Sequence, residues 1–338
     1  LFAKKSSIAA LLKFCIVAGL LWWMFKTDKL SLGEMAIILE RPDVLIASFM
    51  VWLVGPVLLG TLRWWLLIRA ASLDCSYTRA LKLQLTGFFF NTAMPGAVGG
   101  DIVKAIYIVR DQQVKTRKTP AMLTVLLDRI VGLMGLFVMG VFAAMASYEK
   151  LAAHPTTSQL LIGLATVVLL SGIFLTLVFI SHGDGKDPFL KLLSHKIPGF
   201  RTLRGIYEAI RAYRGQPVVI ISTIAISVVI QFLSMIFMGF IGRILYGAAF
   251  DPALLAPIFP FGILVTAIPL APGGLGVGHA AFDRLFVLVG LSGGANVFNI
   301  YVLSQLLLNL LGIFPYLSMR STQQRQPVSG MPKAINLP

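Results

Sequence analysis

Charge is scarce in this chain: 13% of its 338 residues are Asp, Glu, Lys or Arg, where a soluble globular protein carries about 25%. A water-soluble fold is excluded on that count alone. Cysteine is nearly absent, with Cys15 inside an apolar run and Cys75 in a connector, so neither a disulfide framework nor a zinc site can be read from spacing. The four histidines, at 154, 182, 195 and 279, are too scattered for a metal cluster. Gly183-Asp184-Gly185-Lys186 lacks the leading Gly and the Ser or Thr of a phosphate loop, and no strand precedes the glycines near 273–278, so no nucleotide site follows. No Ser, His and acid constellation can be argued. The expectation is a protein that is not an enzyme and needs no cofactor.

Apolar residues are abundant, at 57%. Six stretches are long enough to cross ~30 Å of hydrocarbon: Ile8 to Phe25, Val44 to Ile68, Pro120 to Ala146, Gln159 to Ile180, Pro217 to Tyr246 and Val297 to Met319. Two more are broken in the middle. Leu81 to Val109 is interrupted by Pro95-Gly96-Ala97-Val98-Gly99-Gly100, and Ala253 to Leu291 by Pro269 and then Pro272-Gly273-Gly274-Leu275-Gly276-Val277-Gly278. Non-helical backbone survives at membrane depth only where protein or a wet cavity satisfies it, so these segments are expected to be re-entrant hairpins. The fold class expected is all-α integral membrane, six full spans plus two re-entrant hairpins.

The formal charge of +15 sits in connectors, which points to membrane orientation and anionic lipid, not to nucleic acid. Connectors 1–7, 69–82, 104–118 and 183–214 and the tail from Arg320 are net positive, while 26–43, 147–158 and 247–252 are neutral or negative. They alternate if each broken segment enters and leaves on one side, whether as a re-entrant hairpin or as two full spans; the short, glycine-broken limbs favour the hairpin. A cell (inner) membrane location with both termini cytoplasmic is then expected. The segment Pro188 to Arg214 has Leu203, Ile206, Tyr207, Ile210 and Tyr213 at helical spacing among arginines, which predicts an amphipathic cytoplasmic surface helix within a linker over 182–216. The tail 321–338 reads as polar and disordered.

Similar parts recur in order. Gly60-Thr61-Leu62-Arg63 precedes Pro95-Gly96 as Gly239-Phe240-Ile241-Gly242-Arg243 precedes Pro272-Gly273. Span, hairpin and span over 44–146 and again over 217–319, with opposite charge bias, predict an inverted-topology repeat. Ionisable groups inside apolar stretches are costly and so mark function or ion-pair fastening. They fall in two sets: Arg63, Asp101, Lys104, Asp128 and Arg129, then Arg243, His279, Asp283 and Arg284. Glycine turns leave amide N–H groups unshielded, and helices starting near Gly100 and Gly278 would aim positive dipole ends at the membrane centre. Asp101 could cap its own helix or pair with Arg63 or Arg129. Trp22, Trp23, Trp52, Trp64 and Trp65 read as interfacial anchors.

Phe88-Phe89-Phe90-Asn91 leading to Pro95-Gly96-Ala97-Val98-Gly99-Gly100-Asp101, then Asp128-Arg129-Ile130-Val131-Gly132-Leu133, then Pro272-Gly273-Gly274-Leu275-Gly276-Val277 is a specific combination. In these motifs the chain resembles the lysylphosphatidylglycerol synthase transmembrane-region family, the flippase-like membrane part of multiple peptide resistance factors. It departs from the family pattern at Lys104, where Arg is usual, and at His279, where Glu is usual. The resemblance implies a module that moves a lipid, or a lipid-linked sugar or amino acid, between leaflets, without the soluble synthase domain. The translocation residues expected are the two ionisable sets together with Asn91, Pro95, Gly96, Gly99, Gly100, Pro272, Gly273, Gly274 and Gly276. Expected partners are membrane lipids with anionic headgroups, and a second copy of the chain in a homodimer. The alternative is a non-transporting subunit that presents a lipid carrier to a membrane glycosyltransferase or other lipid-modifying enzyme.

Overall fold

Proline and glycine punctuate this fold. The computed structural model describes residues 40–93, 99–146, 148–149, 155–180, 207, 211–267 and 274–325, and these form helices and turns without a strand. Helix α1 (Pro42–Trp52) starts on a proline, passes through a π-helical turn (Leu53–Leu59) and continues as α2 (Gly60–Ala70). The cause of the π turn is Pro56, which has no N–H to donate and crowds the preceding turn, so the helix widens. Next come α3 (Tyr77–Ala93), α4 (Gly99–Asp111), α5 (Lys118–Ala146) and α6 (Pro155–Ile180). The second half comprises α7 (Pro217–Tyr246), α8 (Leu255–Thr266), α9 (Val277–Leu288), α10 (Gly294–Asn309) and α11 (Ile313–Arg325). Helix α7 opens on Pro217 and stops at Gly247 with φ +60, the expected asymmetry of proline at the start and glycine at the end.

Among the described residues, four helical stretches are long and apolar enough to cross a membrane: Pro42–Ala70, Lys115–Ala146, Pro217–Ala249 and Gly294–Met319. Large apolar side chains such as Ile46, Phe142, Leu169, Val218 and Phe314 point outward, a surface suited to lipid and not to water. The chain is an all-α membrane protein. Its expected first span, Ile8 to Phe25, lies outside the described residues, as does most of Pro188 to Arg214. The last helix runs on to Arg325, past the expected end at Met319. No proline or glycine lies between Met319 and Pro327, and Gln and Arg are good helix formers, so residues 321–325 leave the expected disordered tail.

Each half reads long helix, two short helices, long helix. The Tyr213 hydroxyl donates to the Leu67 carbonyl (2.9 Å), Gln216 donates to Ala70 (3.0 Å), and Arg63 donates to Ser227 Oγ (3.0 Å). Numbers therefore fall along α1–α2 as they rise along α7, and the leading helices of the two halves run antiparallel. The short pairs, 17 and 13 residues in α3 and α4 and 12 each in α8 and α9, are antiparallel hairpins. Their tips, 94–98 and 268–273, lie outside the described residues.

Apolar burial drives little helix association in lipid, so close backbone approach and hydrogen bonds carry more of it. A Cβ on Gly100 would strike the Gly87 carbonyl, so α3 and α4 touch backbone to backbone. The second hairpin is held by aromatic packing: Phe282 stacks on Phe298 at 5.0 Å between centroids, and Gly262 and Gly278 make room for those two rings.

In the connector between α2 and α3, burial pushes the Cys75 thiol up to about 11, with the Asp111 carboxylate adding to the shift. Alkylation of Cys75 in a Cys15→Ser background should therefore be slow at pH 8 and rise about tenfold per pH unit toward pH 11. A rate that levels off near pH 9 would contradict this burial.

Candidate ion-pair cavity

The ionisable residues of the first half meet in one place. Asp128 sits ten residues into α5, about 15 Å along the axis at 1.5 Å per residue, within a stretch long and apolar enough to cross a membrane. Its Oδ1 accepts from Arg63 Nε at 2.7 Å, and its Oδ2 lies 3.4 Å from Lys104 Nζ. Arg63 also donates through one terminal nitrogen to Ser227 Oγ, whose hydroxyl in turn donates to the Thr223 carbonyl at 2.8 Å. Lys104 Nζ lies 4.3 Å from the centroid of the Trp64 ring and 3.8 Å from Asp101 Oδ1. Asp101 accepts from Arg129 Nε. The cluster holds three cations and two carboxylates.

Why these side chains converge follows from helix geometry. Adjacent residues on a helix diverge by about 100°, so Asp128 turns to α2 and α4 while Arg129 turns to the start of α4. Asp101 and Lys104, three apart on α4, share a face. Asp101 pairs with Arg129 and Lys104 and not with Arg63, and it lies in the first turn of α4, where a negative charge suits the helix dipole.

Beside the cluster lies a cavity of about 290 Å³ that both halves line. Arg63, Asn91, Asp101, Lys104, Asp128 and Arg129 face it from the first half, and Gln231, Ile263, Thr266 and Ala267 from the second. Asn91 does double duty, since its Oδ1 also accepts from the Gly100 N–H at 2.6 Å and so staples α3 to α4. Gly99 and Gly100 are buried in that close contact. Ser227, Gln231, Gln84 and Thr266 do not stand out in the sequence, because single uncharged polar residues are common in membrane helices.

The second ionisable set does not assemble in this way. Arg243, Asp283 and Arg284 are exposed, and among the described residues none of them makes an ion pair. Arg243 donates only to the Gly247 carbonyl, at 3.4 Å, four residues along its own helix end. His279 is occupied by structure: its Nδ1 accepts from the Gly276 N–H (3.2 Å), so Nε2 carries the proton and donates to Asn299 Oδ1 (3.0 Å). It caps α9, as Asn91 staples the first hairpin. Gly274 and Gly276 have φ of +73 and +78, a conformation glycine adopts freely. Pro95, Gly96, Pro272 and Gly273 lie outside the described residues. Two tryptophans read as interfacial anchors are buried instead. Trp64 is 0% exposed beneath Lys104 and donates to Thr124 (3.2 Å), and Trp52 is 3% exposed and donates to Asn309 Oδ1 (2.9 Å). An indole N–H with a partner inside the protein has no need of the interface.

Against known proteins, the family described as lysylphosphatidylglycerol synthase TM region matches residues 10–311. UPF0104 membrane protein PH1989 of Pyrococcus horikoshii is 24% identical over 180 residues, covering 52% of this chain and 50% of that protein. The match thus spans about half the length of that curated relative. No solved structure matches. A family match that takes in both hairpins, the Asp128-Arg129 pair and nearly every described helix makes the chain a member of the lysylphosphatidylglycerol synthase transmembrane-region family.

Proposed function

We propose that this protein moves an anionic lipid headgroup between leaflets, without covalent chemistry, through the cavity between its two halves. The observation that carries the reading is the charge balance beside the cavity: among the described residues, Arg63, Lys104 and Arg129 pair with two carboxylates, Asp101 and Asp128. An uncompensated cation in a low-dielectric site costs several kcal/mol, and a ligand with one negative charge removes that cost. A volume of about 290 Å³ is small for a ligand pocket and suits a headgroup whose acyl chains stay in the bilayer. Family membership supports lipid as the cargo. The positive connectors favour cytoplasmic termini, and Arg243, Asp283 and Arg284, exposed and outside the cavity lining, are left out of this route. The test is reconstitution in liposomes with fluorescent phosphatidylglycerol and phosphatidylcholine. Phosphatidylglycerol should cross several times faster than in empty vesicles and faster than phosphatidylcholine. Rates equal to empty vesicles for both would defeat the reading.

A further inference from the structure

We infer that the five charges divide into a lock and a grip, and that Arg129 alone is the grip, with Asp101 as its positioning residue; the inference rests on the headgroup reading of the cavity. Hydrogen bonds and exposure together make the division. Arg63 uses Nε on Asp128 and a terminal nitrogen on Ser227, and its side chain is 12% exposed. Lys104 is 4% exposed, enclosed by Asp128, Asp101 and the Trp64 ring. Both cations are committed to the protein, and they tie α2, α4, α5 and α7 together. Arg129 differs. It bonds Asp101 through Nε, and its two terminal nitrogens make no hydrogen bond to any described residue. Its side chain is 35% exposed and lines the cavity.

A guanidinium held at Nε presents its far edge as a rigid two-pronged donor, matched to two oxygens of a phosphate. Asp101 sets the plane of that donor and, standing at the start of α4, cannot follow the ligand. The surplus positive charge of the cluster then resides at the most exposed of its three cations. A phosphodiester monoanion neutralises it without breaking the Arg63–Asp128 pair. The chemistry recognised is a phosphate carrying at least two unesterified oxygens, whether from a lipid headgroup or a free phosphate ester.

The full chain in detergent is titrated with dihexanoyl phosphatidylglycerol and with glycerol phosphate. Arg129→Ala should weaken binding of the lipid roughly 10- to 100-fold, the range for lost charged hydrogen bonds, while its thermal unfolding midpoint stays near the parent's. Arg129→Lys, which keeps the charge and loses the fork, should recover only part of the affinity, and Asp101→Asn should weaken binding less than Arg129→Ala. Glycerol phosphate bound with the same dependence on Arg129 marks phosphate as the recognised group, and lipid binding alone with that dependence marks the headgroup in its acylated form. Parent-like affinity in Arg129→Ala or full rescue by lysine overturns the assignment, as does failure of both probes to bind the parent. Binding that depends on Arg129 in a protein that moves no lipid in liposomes keeps the assignment and removes the transport reading.

Discussion

Arg63→Ala should cost about 3–5 kcal/mol of stability, the range for breaking one side of a buried ion pair. The loss comes less from the missing attraction than from what is left behind. Asp128, with 6% of its side chain exposed, keeps only Lys104 at 3.4 Å, and Ser227 Oγ loses its donor. Thermal unfolding in detergent measures the effect, and a double-mutant cycle assigns it. The Arg63→Ala, Asp128→Ala double variant should recover much of the loss, because the stranded carboxylate is gone. A single variant within 1 kcal/mol of the parent would mean that water reaches the pair freely and that it locks nothing.

Gly100→Ala should be nearly as harmful although it adds one methyl group. The new Cβ meets the Gly87 carbonyl, a backbone group that cannot rotate away, and it also crowds Asn91 Oδ1. Overpacking of this kind costs about 1–3 kcal/mol, and the hairpin must splay to relieve it, which breaks the Asn91–Gly100 hydrogen bond and widens the cavity beside it. Gly172→Ala in α6 is the control, since nothing lies within 4 Å of its new methyl, and it should gain up to about 1 kcal/mol from helix propensity. Equal unfolding midpoints for the two variants would refute the backbone-contact account.

The break in the second hairpin was legible because proline and glycine clusters cannot continue a helix, and α8 does end at Thr266 and α9 start at Val277; the tip of the first hairpin, 94–98, lies outside the described residues. The first ionisable set was legible because charge inside an apolar run is rare. Its wiring was not. Arg63 and Arg129 carry the same charge, and only the relative rotation of α2, α4 and α5 decides which reaches Asp101. Composition also could not separate the second set from the first: Asp283-Arg284 resembles Asp128-Arg129, yet Asp283 and Arg284 lie on the exposed face of α9. His279 looked like a charge carrier and is a cap, a role fixed by the positive φ of Gly276 three residues before it. Trp64 was misread because its partners, Lys104 and Thr124, arrive from helices distant in sequence.

The π turn around Pro56 has a mechanical corollary. Gln84 of the first hairpin donates to the Pro56 carbonyl at 3.3 Å, at the point where α1 and α2 meet. Were α3 to slide along its axis by a single residue, that hydrogen bond, at the wall of the cavity that both residues line, would be lost. The π turn in the leading helix and the axial position of α3 are therefore coupled through one hydrogen bond, so that a shift in either loads the other.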